Sequence, residues 1–173
     1  MENHRSSLLS ARSVRSSSGF TLIELLVVIA IIGLLAGIIM ASLSTSRKKG
    51  TDARRSADLY QIRNAAILYS GDNQGQVPST LAPLATGGFI SVLPVDPTGG
   101  ASYNYAAIQN GGACLAFHLG ASLQVPASPL LTADIDAPAT GTVCGGSAAN
   151  FDGADTGKCN ASDAGTYCYD ITN

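Results

Sequence analysis

Residues 16–50 read SSSGFTLIELLVVIAIIGLLAGIIMASLSTSRKKG, and this stretch decides the fold. Between Phe20 and Leu43 lie 24 residues that carry a single charge, on Glu24. A helix of about 24 residues spans roughly 36 Å, enough to cross a hydrocarbon core of about 30 Å. Backbone groups in lipid must be paired within the segment, so only a helix is suitable. The sequence therefore predicts a transmembrane helix over 20–43.

A cleaved secretory signal peptide is the competing interpretation of this apolar run. Its apolar core is usually about 7–15 residues long and ends in a small-residue cleavage site. The present run is longer, and it continues into Arg47, Lys48 and Lys49, which resemble a stop-transfer flank. We therefore expect the segment to be retained. Gly33 and Gly37 form a small-xxx-small pair that allows another helix to approach closely.

Glu24 is the anomaly of the apolar run. A carboxylate near a membrane core costs at least a few kcal/mol unless it is protonated, neutralised or paired. Between Ser16 and Ser46 the chain contains no Lys, Arg or His that could pair with it. The sequence therefore predicts that the cation comes from another molecule, or from an amine created by cutting the chain nearby.

The residues Gly19–Glu24 read GFTLIE and precede the apolar run directly. This stretch resembles the N-terminal segment of type IV pilins and type II secretion pseudopilins. The resemblance implies that a prepilin peptidase cuts between Gly19 and Phe20 and methylates the new amine of Phe20. Residues 1–19 would then be a cytoplasmic leader. It also implies that Glu24 of one subunit pairs with the amine of a neighbouring subunit during assembly.

The resemblance implies a structural subunit of a type IV pilus-like filament. Its expected partners are the lipid bilayer, the peptidase, ATP-driven inner-membrane assembly machinery and homologous pilin or pseudopilin subunits. The chain would wait in the inner membrane as a single-pass protein with its head outside the cytoplasm, then enter an extracellular or periplasmic filament. A type II secretion pseudopilin and a low-abundance tip subunit for adhesion or DNA uptake are the alternatives. Counting positive charges around the span favours the opposite orientation.

Residues 44–70 are predicted to continue the helix as an amphipathic half. Leu59, Ile62, Ala66 and Tyr69 recur at helical spacing and predict one apolar face. The charged stretch RKKGTDARR is interpreted as a solvated face, with Asp52, Arg55 and their neighbours as exposed ion pairs. Attraction to anionic lipid headgroups is the alternative for this stretch.

Residues 71–173 are predicted to form the globular head of an α+β, pilin-like fold. Alternating patterns indicate antiparallel strands at 101–108, 114–125 and 165–172, in a sheet of three or four strands. Residues 126–163 are rich in Gly, Ala, Ser, Thr and Asp and are predicted to be mostly loop. The stretch Leu93–Tyr105 resembles the connection before the first head strand of major pseudopilins.

The four cysteines all lie in the head: Cys114, Cys144, Cys159 and Cys168. An even number in a chain with an export-type segment indicates disulfides in an oxidising compartment. Three pairings are open; the short separation makes Cys159–Cys168 easy, with Cys114–Cys144 as its complement. Type IV pilins have a disulfide-bounded C-terminal loop at a similar position, which favours a pilus over a pseudopilus.

Asp152, Asp155 and Asp163 are candidate calcium ligands, because clustered Asp beside Gly suits a cation that takes several oxygens. Solvated turn carboxylates are the competing interpretation, and the one we favour. Major pseudopilins bind calcium in a C-terminal loop, but no ligand spacing of theirs is matched here. No other cofactor is expected.

We expect no enzymatic activity, because no nucleophile elbow or phosphate-binding glycine loop is present, and His118 is interpreted as a satisfied or exposed side chain. From Gly71 onward the sequence contains eight Asp residues and one lysine, Lys158. This balance argues against a head that binds nucleic acid by phosphate contacts, and no direct nucleic-acid binding is expected.

Overall fold

The computed structural model describes residues 19–136, 142–146, 153–154, 157–159 and 165–173. Contacts divide the chain into two compact units, Met1–Ala41 and Ser42–Asn173. The elements in chain order are α1 (Leu22–Asp72), α2 (Ala82–Thr86), β1 (Asn104–Asn110), β2 (Ala113–Leu123), a 3-10 helix (Pro129–Thr132), β3 (Thr142–Gly146) and β4 (Tyr167–Thr172). The predicted α+β class, a long N-terminal helix and a small antiparallel sheet, is confirmed.

The first unit contains the apolar part of α1. Its large side chains are exposed on all sides of the helix, from Leu22 to Met40. None of its most apolar 18-residue window is buried within the protein. By length and composition, this helix can cross a membrane.

In the second unit, one face of α1 packs on the head. Leu59, Ile62 and Ala66 are fully buried, and Tyr69 packs on the same core at its margin. The predicted apolar face is therefore confirmed. The helix continues without a break through Gly50.

The sheet has the strand order β3-β1-β2-β4, with every neighbouring pair antiparallel. β1 and β2 form the predicted hairpin, whose turn places Gly111 and Gly112 at φ values of +63° and +95°, a region that favours glycine. The strand side chains that pack toward the helix core alternate along each strand: Tyr105, Ala107, Phe117, Leu119, Ala121, Leu123, Tyr169 and Ile171.

The prediction that residues 126–163 are mostly loop was wrong at two places. Ser128 caps the 3-10 helix Pro129–Thr132, and β3 pairs with β1 at the edge of the sheet. β3 carries no strong strand pattern; it is held by pairing, by the Cys114–Cys144 disulfide and by a close approach to Ser79. A Cβ on Gly145 would lie 2.7 Å from the Ser79 carbonyl oxygen, so only glycine permits this approach.

The opposite face of the sheet is also buried, and it carries polar side chains beside the apolar Ala106 and Ile108. Asn104, His118, Ser122 and Asp170 are each at most 4% exposed. The Cys159 N–H donates to Ser122 Oγ over 2.9 Å, and Cys159 is disulfide-bonded to Cys168 of β4. The described part of the C-terminal segment therefore attaches to this face through directional polar contacts and a covalent bond.

A buried ion network joins α1 to two other parts of the head, which corrects the prediction that Asp52 and Arg55 form an exposed pair. Arg55 is 0% exposed, and its guanidinium donates to Asp52 over 2.8 Å and to Asp96 over 2.7 Å. Asp52 also accepts the N–H groups of Gln124 and Val125, just after β2. The sequence missed this network because Asp96 lies 41 residues from Arg55.

The Arg54–Asp58 pair is the counterpart in which the cation is exposed. Its nitrogen and oxygen are 3.9 Å apart, and the Arg54 side chain is 66% exposed. Asp58 itself is buried and accepts the Tyr103 hydroxyl over 2.7 Å. The prediction that this charged stretch is solvated is therefore correct for Arg54.

We predict that Arg55→Ala lowers the free energy of unfolding by about 3 kcal/mol, because it leaves two carboxylates without their buried cation. Arg54→Ala is the matched control and should cost less than about 1 kcal/mol, because Arg54 is exposed and Asp58 keeps its hydrogen bond from Tyr103. Both values can be measured by chemical unfolding of the full chain in detergent micelles, followed by tyrosine circular dichroism. Equal losses in the two variants would contradict the assigned role of the network.

We further predict that the contribution of Asp96 is lost in acid. Burial alone would raise the pKa of Asp96, but the hydrogen bond from Arg55, the Thr98 N–H and the Arg55 charge together hold this pKa below its usual value. Its stabilisation is therefore complete above the unfolded-state pKa of about 3.9 and disappears as pH falls through the lower folded-state pKa. The stability difference between wild type and Asp96→Asn should shrink between pH 7 and pH 3.

Melting curves across this pH range measure that difference. The control places Asp96→Asn in the Arg55→Ala background, where the pH-dependent difference should be smaller. A difference that stays constant with pH in the wild-type background would show that Asp96 contributes by packing alone.

Candidate processing and assembly site

The Gly19–Phe20 peptide bond lies just ahead of α1, with Phe20 and Thr21 between the bond and Leu22, the first helical residue. Gly19, Phe20 and Thr21 are outside regular structure and exposed. A Cβ built on Gly19 would meet no atom within 4 Å. The fold of this chain therefore does not itself require glycine at position 19, and the bond is accessible to an enzyme.

Thr21 and Glu24 form a reciprocal cap at the start of α1. The Thr21 N–H and hydroxyl both donate to Glu24 Oε2 over 2.8 Å, and the Glu24 N–H donates to Thr21 Oγ over 3.3 Å. This is the capping-box arrangement, in which the threonine precedes the helix and the acid is its third residue. The carboxylate thus satisfies one of the unpaired N–H groups of the helix start.

The cap qualifies the prediction that Glu24 needs a cation from elsewhere. Its carboxylate has hydrogen-bond donors within its own chain, although none of them cancels its charge. The signal was present in the sequence, because Thr21-Leu22-Ile23-Glu24 matches the T-x-x-E pattern that precedes an apolar run. Glu24 therefore has two separable properties, a capping oxygen and a negative charge.

The carboxylate borders a shallow apolar groove on the helix surface. Phe20, Ile23, Glu24, Val27 and Val28 line this groove, whose volume is about 390 Å³. Further along the helix, Gly33 and Gly37 have open space where a Cβ would lie. The first unit therefore exposes a charged group and small-residue positions on an otherwise apolar surface.

The structure pairs the cysteines as Cys114–Cys144 and Cys159–Cys168. The first bond joins β2 to the edge strand β3, and the second joins the C-terminal segment to β4. This is the pairing that the short Cys159–Cys168 separation favours.

The calcium candidates Asp152, Asp155 and Asp163 lie outside the described residues, so calcium binding stays a prediction. Among the residues that the structure does describe, no group of three His, Cys, Asp or Glu could hold a metal ion. His118 is buried, and its Nε2 pairs with Asp170 Oδ2 across β2 and β4.

Comparison with known proteins agrees with the site. The family model described as "Prokaryotic N-terminal methylation motif" matches residues 14–40. The type II secretion system core protein G of Vibrio cholerae is 32% identical over 128 residues, covering 65% of this chain and 86% of that protein. The chain belongs to the family of type IV pilins and type II secretion pseudopilins.

Other relatives in this family come from both kinds of system. Core protein G of Escherichia coli K12 is 36% identical over 104 residues, covering 51% of this chain and 71% of that protein. The type IV wide pilus major component PilA4 of Thermus thermophilus is 31% identical over 116 residues, covering 67% and 85%. No solved structure gives a significant match. The chain is thus a pilin-family structural filament subunit, with an N-terminal apolar helix as its membrane anchor.

We predict that the Thr21 hydroxyl protects the first turn of α1. Thr21→Val removes the hydroxyl at nearly constant shape, and loss of an N-cap costs about 0.5–2 kcal/mol. Amide hydrogen exchange at Glu24 should therefore accelerate by roughly 2- to 30-fold. Thr21→Ser keeps the hydroxyl and should retain the protection. Exchange measured by NMR on the micelle-bound chain tests this, and unchanged rates in Thr21→Val would contradict the cap.

Proposed function

We propose that this chain is the structural subunit of a type IV pilus-like filament. Prepilin peptidase cuts the Gly19–Phe20 bond and methylates the Phe20 amine. Before assembly, the subunit is a single-pass protein of the inner (cytoplasmic) membrane with its head outside the cytoplasm. Inner-membrane machinery driven by ATP then extracts it into an extracellular filament.

The position of Glu24 carries this proposal. The carboxylate lies in the first turn of an apolar helix, four residues from the bond that would be cut. Cutting that bond creates an ammonium group on Phe20, and two uncompensated charges in an apolar helix bundle are costly unless they pair. Pairing between neighbouring subunits would fix their register, which apolar contact alone cannot do because it is non-directional.

The disulfide-stabilised head supports the pilus over the secretion pseudopilus. Both disulfides involve the region after β2, and the pilin type implied by the resemblance has a disulfide-bounded segment there. Similarity to core protein G of several bacteria favours the second candidate, a type II secretion pseudopilin in a periplasmic filament. Sheared cell-surface filaments rich in this chain would support the pilus; their absence, together with failed protein secretion after deletion, would support the pseudopilin.

We also propose that the head is not an enzyme and needs no cofactor. The buried His118–Asp170 pair joins two strands beneath other residues and offers no open site to a substrate. Calcium, if bound at Asp152, Asp155 and Asp163, would be structural.

We predict that Glu24→Gln abolishes assembly while leaving the cap intact. Glutamine can accept the Thr21 hydrogen bonds, as glutamate does in a capping box, but it carries no charge. Filament yield should fall at least 10-fold, because the Phe20 ammonium loses its partner at a cost of several kcal/mol. Yield is measured by immunoblot of sheared filaments, and mass spectrometry establishes that the mature chain begins at a methylated Phe20.

Membrane fractionation is the control, since Glu24→Gln should insert normally. Normal filaments from Glu24→Gln would mean that Glu24 acts only as a cap. A mature chain that does not begin at Phe20 would remove the ammonium group and, with it, the proposal.

A further inference from the structure

The exposed positive charges of the second unit are concentrated near the beginning of its helix. Arg47, Lys48 and Lys49 are all exposed, and we call them the basic neck. Arg55, by contrast, is fully buried between two carboxylates, and Arg63 donates to the Thr172 carbonyl oxygen over 2.8 Å. The basic neck therefore carries surface charge that the described contacts of the head do not use.

The other end of the same helix has the opposite character. Asp72 is the last residue of α1 and is exposed, and the last helical turn has no basic residue. The C-terminal end of a helix carries partial negative charge, so a carboxylate there is unfavourable and a cation is favourable. Beside it lies a cleft of about 440 Å³, and we call it the acidic cleft after its one carboxylate, Asp72. Its other lining residues are neutral: Tyr69, Asn73, Gln74, Gln76, Val77, Ser79 and Cys114.

These two surfaces cannot meet within one chain. Lys48 and Asp72 are separated by 24 residues of continuous helix, which is about 36 Å at 1.5 Å per residue. No lysine side chain reaches across that distance. A second copy displaced by about this length along the helix axis would, however, bring its basic neck to the acidic cleft.

We propose that the basic neck of one subunit docks in the acidic cleft of a second copy. This inference rests on the proposed filament, which repeats the contact at every subunit. An exposed ion pair is weak by itself, but the C-terminal end of the helix adds to the attraction. Because the filament repeats the contact at every subunit, the contact can fix the axial position of each subunit relative to the next. The contact would act at the heads, independently of Glu24 in the membrane-spanning part.

Anionic lipid headgroups are the competing occupant of the basic neck, because clustered Lys and Arg beside a membrane span attract them. Lipid would satisfy the neck but leave the acidic cleft without a cation. A second copy satisfies both surfaces with one contact. The attraction of the basic neck to the Asp72 carboxylate and to the C-terminal end of α1 therefore favours a second copy.

A charge exchange tests the contact in the organism that makes the filament. Lys48→Glu and Asp72→Lys should each lower the yield of sheared filaments several-fold, and the double variant should restore most of it, because it rebuilds the pair in reverse. Asp72→Asn should also lower the yield. Asp136→Asn, at another exposed head carboxylate, is its matched control and should have no effect. Melting curves in micelles establish that each variant is folded.

Cross-linking gives a measurement that does not depend on yield. When chains with Lys48→Cys and chains with Asp72→Cys are assembled together, mild oxidation should join the two kinds, whereas either kind alone should give little product. A double charge variant no better than the single variants, or absence of the mixed cross-link, would overturn the proposal. So would a loss confined to Lys48→Glu with weaker binding to anionic vesicles, since that result assigns the neck to lipid.

The wild type separates this inference from the proposed function. If the wild-type chain forms no filament, the proposed function itself fails. If it forms filaments that the neck and cleft variants leave unchanged, only the present inference fails.

Discussion

One helix has to satisfy two different surroundings, and this constraint governs the rest of the structure. Along its first part, large apolar side chains are exposed on every side, which is stable only in lipid or against other apolar helices. Along its second part, one face is buried against a core while the opposite face carries charges. Within one continuous helix, α1 therefore changes from a segment that is apolar on every side to a segment that is apolar on one face only. The polar residues at particular points along it supply the specificity that apolar surface lacks.

Two polar arrangements on α1 supply this specificity, one through local contacts and one through contacts with distant residues. At the start of the helix, Thr21 and Glu24 satisfy backbone N–H groups locally, within four residues. In the second unit, Arg55 uses one guanidinium to join its own helix turn, through Asp52, to the Asp96 loop. Asp52 extends that contact to the end of β2. A planar guanidinium with several fixed donors suits such a junction better than a lysine ammonium would.

The range of each interaction along the chain explains what the sequence could predict. The apolar span, the apolar face around Leu59 and Ile62 and the β1–β2 hairpin are local patterns, and the structure has all three. The Thr21–Glu24 cap was equally local, and its T-x-x-E pattern could have been found. The burial of Arg55 could not, because its charged neighbours suggest a solvated face and Asp96 is distant in sequence. β3 was missed because it is only five residues long and ends in two glycines, and it is held by pairing with β1 and by a disulfide.

The sheet separates two chemical tasks on its two faces. Toward the helix it presents aromatic and aliphatic side chains such as Phe117 and Tyr169, which form a core by area and shape. On its other face, Ser122 and Asp170 are buried against the C-terminal segment. A segment rich in Gly, Ala, Ser and Asp has too little apolar surface to be held by burial alone, so directional hydrogen bonds and a disulfide must hold it. Substitutions in this outer layer therefore leave the helix-facing core intact, provided that the bonded residues Ser122, Cys159 and Cys168 are kept. Such an arrangement suits a filament subunit, because the packing of the helix is then independent of the surface that the head presents.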